Sequence, residues 1–219
     1  MDIVSNLNKI KNSLPNGVSL VAVSKTHPIE AIKELLPYHN IFGENKVQEL
    51  TTKYDALPKT IEWHFIGHLQ SNKVKYIAPF VSLIHAVDKF KLLEEINKQA
   101  IKNNRIINCL LQVHIAKEET KFGFNEEEII EMLNSLDFQN LKNVNICGLM
   151  GMATYTEDLN EVDNEFKYLN TLYVKLKNNH FQNSNYFNQL SMGMSNDYNI
   201  AINNGSTLIR VGSSIFGER

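Results

Sequence analysis

The first charge after the uncharged run of residues 18–24 is a lysine, Lys25. Valine, leucine and alanine dominate that run, as in a strand covered on both faces. Alternation with period two puts Val21, Val23 and Lys25 on one face. A lysine at the mouth of an apolar strand is partly desolvated. Its pKa falls, and the neutral amine that results can attack a carbonyl. The same residue also reads as a lysine snorkelling from a strand end to water. Two stretches downstream have the composition of anion cradles: Ser191, Met192, Gly193, Met194 and Ser195 in one, Gly212, Ser213 and Ser214 in the other. Glycine lets the backbone approach, and N–H groups can then point at a phosphate. Serine and glycine are equally ordinary turn and cap residues. Arg210 lies inside the apolar run from Leu208 to Val211. A buried guanidinium needs an acceptor, which Asp197, Glu44, a ligand nitrogen or a phosphate would supply. An amine for an aldehyde, an anion site and a partner for a ring nitrogen are together what pyridoxal phosphate requires.

His64, His68, His85 and His114 offer acid–base chemistry, but each also reads as a hydrogen-bonded residue at a strand end. Met150, Met152, Met192 and Met194 read as wall packing. No residue is assigned a catalytic role on these patterns. There is no CxxC or Cys/His cluster with zinc spacing, so no metal is expected.

The elements that must position these groups follow a two-beat rhythm. An amphipathic helix over residues 2–14 (Ile3, Leu7, Ile10, Leu14) comes first. Strands are then predicted over 18–24, 40–43, 61–66, 82–87, 106–115, 144–150, 186–191 and 207–211. Helices follow them: one opening at Pro28 after a Thr26 or His27 cap, one carrying Val47, Leu50 and Tyr54, one over 72–77, and one capped by Asp88 with Phe90, Leu93, Ile96 and Ala100. Later helices carry Ile129, Ile130, Leu133 and Leu136, then Leu159, Val162, Phe166, Leu169, Tyr173 and Leu176, then residues 196–202, with a last turn around Ile215 and Phe216. A loop over 116–125 separates the fifth strand from its helix. Eight strand–helix beats predict an α/β fold of the (β/α)8 TIM-barrel type, a single domain over 1–219 with an extra N-terminal helix. In such barrels the site lies at the C-terminal strand ends, where Lys25, the glycine–serine stretches and Arg210 all fall, and phosphates bind after strands 7 and 8.

Composition narrows the function classes. With 219 residues, 43% hydrophobic and 21% charged, the chain can bury one sizeable core. A net charge of −2 gives no footprint for nucleic acid or an anionic membrane. The start carries no signal-peptide hydrophobic region and no apolar run reaches membrane-spanning length. Two isolated cysteines, Cys109 and Cys147, suit a reducing cytoplasm. The expected location is therefore cytoplasmic, and the expected state is a monomer.

The blocks VAVSKTHP, FGENKVQEL, WHFIGHLQSNKVKYI, IHAVD, GLMGMAT, LSMGMSNDYNIAI and GSTLIRVGSSIFGER resemble the pyridoxal-phosphate homeostasis protein family, single-domain relatives of the alanine racemase N-terminal barrel. The resemblance runs in order from about residue 18 to the end. It implies a barrel that holds pyridoxal phosphate as an aldimine on Lys25, with Arg210 at the pyridine nitrogen and Asn45 near the ring. Ser191, Ser195, Gly212 and Ser213 would cradle the phosphate, with Met192 beside them. The family has no firmly assigned turnover and is regarded as a carrier of vitamin B6, with apo-enzymes as transient partners. Two departures stand out: His114 where the family more often has asparagine, and Asn203 in place of an acidic residue. The alternatives are a pyridoxal-phosphate-dependent amino-acid racemase and a cofactor-free barrel forming a Schiff base with a phosphorylated sugar. Against the racemase, the expectation is that no second domain follows the barrel to bring the tyrosine that such racemases use, and the arginine implied at the ring nitrogen would weaken the electron sink.

Overall fold

In the computed structural model, which describes residues 2–117 and 122–217, a closed parallel barrel stands at the centre. Its strands are β1 (Ser19–Val23), β2 (Ile41–Glu44), β3 (Glu62–Phe65), β4 (Leu83–Val87), β5 (Ile107–Gln112), β6 (Val144–Met150), β7 (Gln189–Ser191) and β8 (Leu208–Val211), each beside its sequence neighbours. β8 closes on β1 in register, with Leu20 opposite Ile209 and Val21 opposite Arg210. The expected (β/α)8 barrel is therefore present. Residues 118–121, within the predicted 116–125 loop, lie outside the described residues, as do Met1 and residues 218–219.

Two apolar layers hold the barrel. The smaller fills its interior with Val21, Leu83, Ala86, Leu110, Cys147, Met150 and Leu208. The larger lies between barrel and helices and contains Phe42, Trp63, Phe65, Phe166 and Phe187, all fully buried. Truncating any of these aromatics to alanine would cost about 3–5 kcal/mol through lost transfer energy and the cavity left behind. Cys109 is in the outer layer and Cys147 in the inner one, and both are free thiols.

The helices are α1 (Ile3–Ser13), α2 (Ile29–Leu35), α3 (Val47–Ala56), α4 (Val74–Ile77), α5 (Phe90–Lys102), α6 (Glu126–Asn134), α7 (Leu136–Gln139), α8 (Leu159–Asn179), α9 (Tyr198–Asn203) and α10 (Ser213–Phe216). Several starts differ from expectation. Pro28 is the N-cap of α2 rather than its first residue, because its own ψ of 160° is extended, and no side chain caps the helix. Asp88 does not cap α5; Lys89 holds that position and Asp88 turns instead toward His68. The single helix expected to include Leu136 breaks at Ser135, whose hydroxyl caps α7, and leaves Leu136 exposed. Among the described residues no helix is long and apolar enough to cross a membrane.

Candidate functional site

The C-terminal strand ends open onto a cavity of about 670 Å3, a size that accommodates a small cofactor. Lys25, Asn45, Ser195, Arg210, Gly212 and Ser213 all line it. Ser191 and Met192 do not. β7 runs through Ser191, so alternation sends that hydroxyl into the barrel beneath the cavity and Met192 into the helix-facing layer. The predicted stretch 191–195 is thus part strand and part loop. Gly193 turns the chain there at φ +94°, where a Cβ would lie 2.6 Å from the Ala201 methyl. Its carbonyl accepts from Arg210 N at 3.0 Å, and Gly212 N donates to Ser195 Oγ at 3.3 Å, so the two loops are tied together.

Lys25 is held through its neighbours. Lys53 Nζ, from α3, donates to Ser24 O at 2.8 Å, Glu44 Oε1 at 2.7 Å and Glu49 Oε1 at 2.7 Å. Ser24 Oγ donates to Glu44 Oε1 at 2.6 Å, and Thr26 N donates to Glu49 Oε1 at 2.5 Å. Burial pushes the Glu44 carboxyl above its ordinary range, opposed by the Lys53 charge. Burial works the same way on Glu49, but the bonds from Lys53 and Thr26 outweigh it and leave that group lowered. The sequence reading missed this cluster, since nothing in the spacing of Glu44 and Lys53 says that α3 folds back onto β2.

Arg210, on the other side of the mouth, donates from Nη1 to Ser191 Oγ at 2.6 Å and from Nη2 to Gly151 O at 3.1 Å. Burial lowers its pKa to about 10, opposed by the nearby Asp197 carboxylate. Neither carboxylate weighed as a partner makes a hydrogen bond with it; Glu44 is taken by Lys53 and Ser24, and Asp197 Oδ1 accepts from Met194 N at 2.5 Å. Behind Ser191 lie His85, whose Nδ1 is 3.0 Å from the hydroxyl, and His64, whose Nδ1 is 3.0 Å from His85 Nε2. Burial, reinforced by His39, lowers His64 to about 3, and burial with His64 and Arg210 holds His85 well below the usual histidine value. Both rings are neutral at pH 7. At the rim, His68 stacks on Phe122 at 4.2 Å and its Nδ1 sits 2.9 Å from Asp88 Oδ2, off the hydrogen-bond line.

The donor set fits pyridoxal phosphate. An amine and a guanidinium flank one cavity, and Asn45 Oδ1 is buried on its wall with no hydrogen-bond partner among the described residues. Such an orphaned acceptor is costly unless a ligand donor meets it. His114, the departure noted above, is not among the lining residues.

A barrel with this mouth is the architecture of one racemase-related class, and the family described as "Alanine racemase, N-terminal domain" matches residues 2–219. Alanine racemase from Enterococcus faecalis shares the fold at a TM-score of 0.74 with 16% identity, this chain covering 58% of it. Nearer relatives specify the kind. The pyridoxal phosphate homeostasis protein of Aquifex aeolicus is 41% identical over 93% of this chain and 88% of its own length. That of Haemophilus influenzae is 36% identical over 100% and 97%. PipY of Synechococcus elongatus, solved without pyridoxal phosphate, superposes with a TM-score of 0.92 at 34% identity, covering 98% of this chain and 100% of its own. The chain belongs to the pyridoxal phosphate homeostasis protein family.

Proposed function

We propose that this chain binds pyridoxal phosphate, holds it as a Schiff base on Lys25, and delivers it to apo-enzymes as part of vitamin B6 homeostasis. The convergence of Lys25, Arg210 and the two serine–glycine loops on one cavity carries the reading. The homeostasis name of its relatives and the PipY structure described as having pyridoxal phosphate bound support it. When bound, the cofactor supplies an aldehyde and an electron-withdrawing ring. Lys25 provides the amine, on a turn fixed by Lys53 and Glu49. Ser195 and Ser213 offer hydroxyl and backbone donors to the phosphate beside Gly212, whose own N–H donates to Ser195 Oγ, and Asn45 offers an acceptor beside the ring. Arg210 only donates hydrogen bonds, so a protonated ring nitrogen is disfavoured next to it. Proton abstraction from a bound amino acid is then poorly supported, whereas exchange of the lysine amine for another amine is not impeded.

Borohydride reduction followed by peptide mapping is expected to place the pyridoxyl group on Lys25; its recovery on another lysine overturns the proposal. Because charge-assisted hydrogen bonds contribute about 1.5–3 kcal/mol each, pyridoxal should bind orders of magnitude more weakly than its phosphate. Equal affinities would remove the loops as the anchor. Loaded protein should restore an apo-enzyme's activity, and the Lys25→Ala variant should donate poorly. Multiple turnovers per second on L- or D-alanine without such transfer would establish the racemase instead.

A further inference from the structure

Arg210 cannot accept a hydrogen bond, so the 2.6 Å contact with Ser191 makes the serine oxygen an acceptor. Ser191 is fully buried, and among the described residues the one acceptor within reach of its own proton is His85 Nδ1. A buried hydroxyl proton left unpaired is costly, so it goes there. His85, neutral, must then carry its proton on Nε2, which donates to His64 Nδ1. His64 in turn carries its proton on Nε2. The direction of every link is fixed by the arginine at one end.

We propose that His85 and His64 are positioning residues: through Ser191 they form a one-way hydrogen-bond relay, Arg210 to Ser191 to His85 to His64, that holds the guanidinium in a single orientation toward the cavity. The inference rests on the reading above, in which Arg210 meets the ring nitrogen of pyridoxal phosphate. Neither histidine lines the cavity, so on that reading neither would touch the cofactor. Two of the five guanidinium N–H groups are engaged by Ser191 and Gly151 among the described residues. Those two bonds leave the others to act on what the cavity holds. The relay is built from neutral rings because a charged ring beside Arg210 would add a second cation to a buried site.

Two measurements test this. Nitrogen-15 NMR of the ligand-free protein at neutral pH, with assignments from His64→Gln and His85→Asn variants, should show both rings neutral and protonated on Nε2. A ring protonated on Nδ1, or on both nitrogens, overturns the relay. The second measurement compares pyridoxal phosphate with its carbocyclic analogue, in which C–H replaces the ring nitrogen. In His85→Leu the affinity for pyridoxal phosphate should fall roughly tenfold, the scale of one charge-assisted hydrogen bond whose donor is no longer held, while the analogue is unaffected. His85→Asn, whose Oδ1 can still accept from Ser191, should restore wild-type discrimination. Equal losses for both ligands, or none, would mean that His85 only fills space. If His85→Leu fails to fold, Ser191→Ala makes the same comparison with one atom removed. If the wild-type chain binds no pyridoxal phosphate, the proposed function falls, and the NMR result still decides the relay.

Discussion

The two cations at the mouth of the barrel are supported in opposite ways. Behind Lys25 lies a charged network, with Lys53 shared between Glu44 and Glu49 and all three within 2.8 Å of their partners. Behind Arg210 lies a neutral one, a serine and two uncharged imidazoles. The turn that presents the amine is fixed by hydrogen bonds from Lys53 to Ser24 O and from Thr26 N to Glu49, the two charged side chains being joined in turn by an ion pair. A guanidinium already rigid within β8 needs only to be aimed, which directional neutral hydrogen bonds accomplish without burying another charge.

That difference sets the largest expected effect, the response to acid. His64 titrates near 3 in the folded protein against 6.5 for an ordinary histidine, and His85 is also well below it. His39, held at about 4 by burial despite its bond to Ile41 O, behaves alike. Below pH 6.5 the unfolded chain binds more protons than the folded one. Stability is therefore complete above that value and falls as pH drops toward the folded pKa values, by up to about 1.4 kcal/mol per pH unit for each histidine. Glu44 and Asp197 work the other way, since burial raises both folded pKa values and so favours the native state as pH falls toward the ordinary carboxylate range. Being two groups against three, they only reduce the slope. Urea unfolding between pH 7 and 5 should show the decline, and His85→Asn should flatten it by one proton's share. A flat profile in the wild-type chain would erase the contrast between the networks.

Lys53→Met comes next. It strips Glu44 of its counter-charge while leaving the carboxyl fully buried, and breaking a buried pair in this way costs about 3–5 kcal/mol. Denaturant melts at pH 7 should show that loss. The raised Glu44 pKa means that the gap to the wild-type chain narrows on lowering the pH toward 5, although the histidines still lower the stability of both. A loss below about 1 kcal/mol would place the pair among surface-like ion pairs and make the turn at Lys25 self-supporting.

How much of this was legible in the residues depends on what each position asked of the chain. Strands buried on both faces are near-continuous apolar runs, so β6 falls on 144–150 as read and the eight-beat order is evident. β7 is less so. Residues 186–191 read as strand, yet only Gln189–Ser191 pair, because Phe187 is drawn into the outer core with Phe181 and Tyr173. Lys25 and Arg210 were visible because a charge at the end of, or inside, an apolar run needs a reason. Ser191 was visible only as a residue type. Whether its hydroxyl lines the cavity or supports Arg210 is a one-residue question of where β7 ends, and the bond from Gly151 N to Ser191 O at 3.1 Å settles that. The links from His64 to His85 and from Glu44 to Lys53 depend on how neighbouring elements meet in space, which periodicity does not encode.

The smallest effect concerns the turn itself. Thr26 holds a left-handed φ of 67°, an uncommon conformation for a β-branched residue and one that lies next to Lys25. Its hydroxyl donates to Lys25 O at 2.6 Å and its N–H to Glu49. Thr26→Gly relieves strain of about 1–2 kcal/mol. Against that stand the added backbone entropy of glycine, about 0.5–1 kcal/mol, and one exposed hydrogen bond of about 0.5–1.5 kcal/mol. The terms nearly cancel, so the melting midpoint should barely move. What should change is the holding of Lys25: with glycine in place the turn samples more conformations, and borohydride trapping of pyridoxal phosphate on Lys25 should slow although the fold is intact. Arg210, within regular strand, has no counterpart to this strain, and its support should not respond. If Thr26→Gly instead lowers stability by more than about 2 kcal/mol, more than the lost hydrogen bond and added entropy together would give once strain is relieved, the left-handed turn is an unstrained part of the scaffold and the charged network is not what keeps it in place.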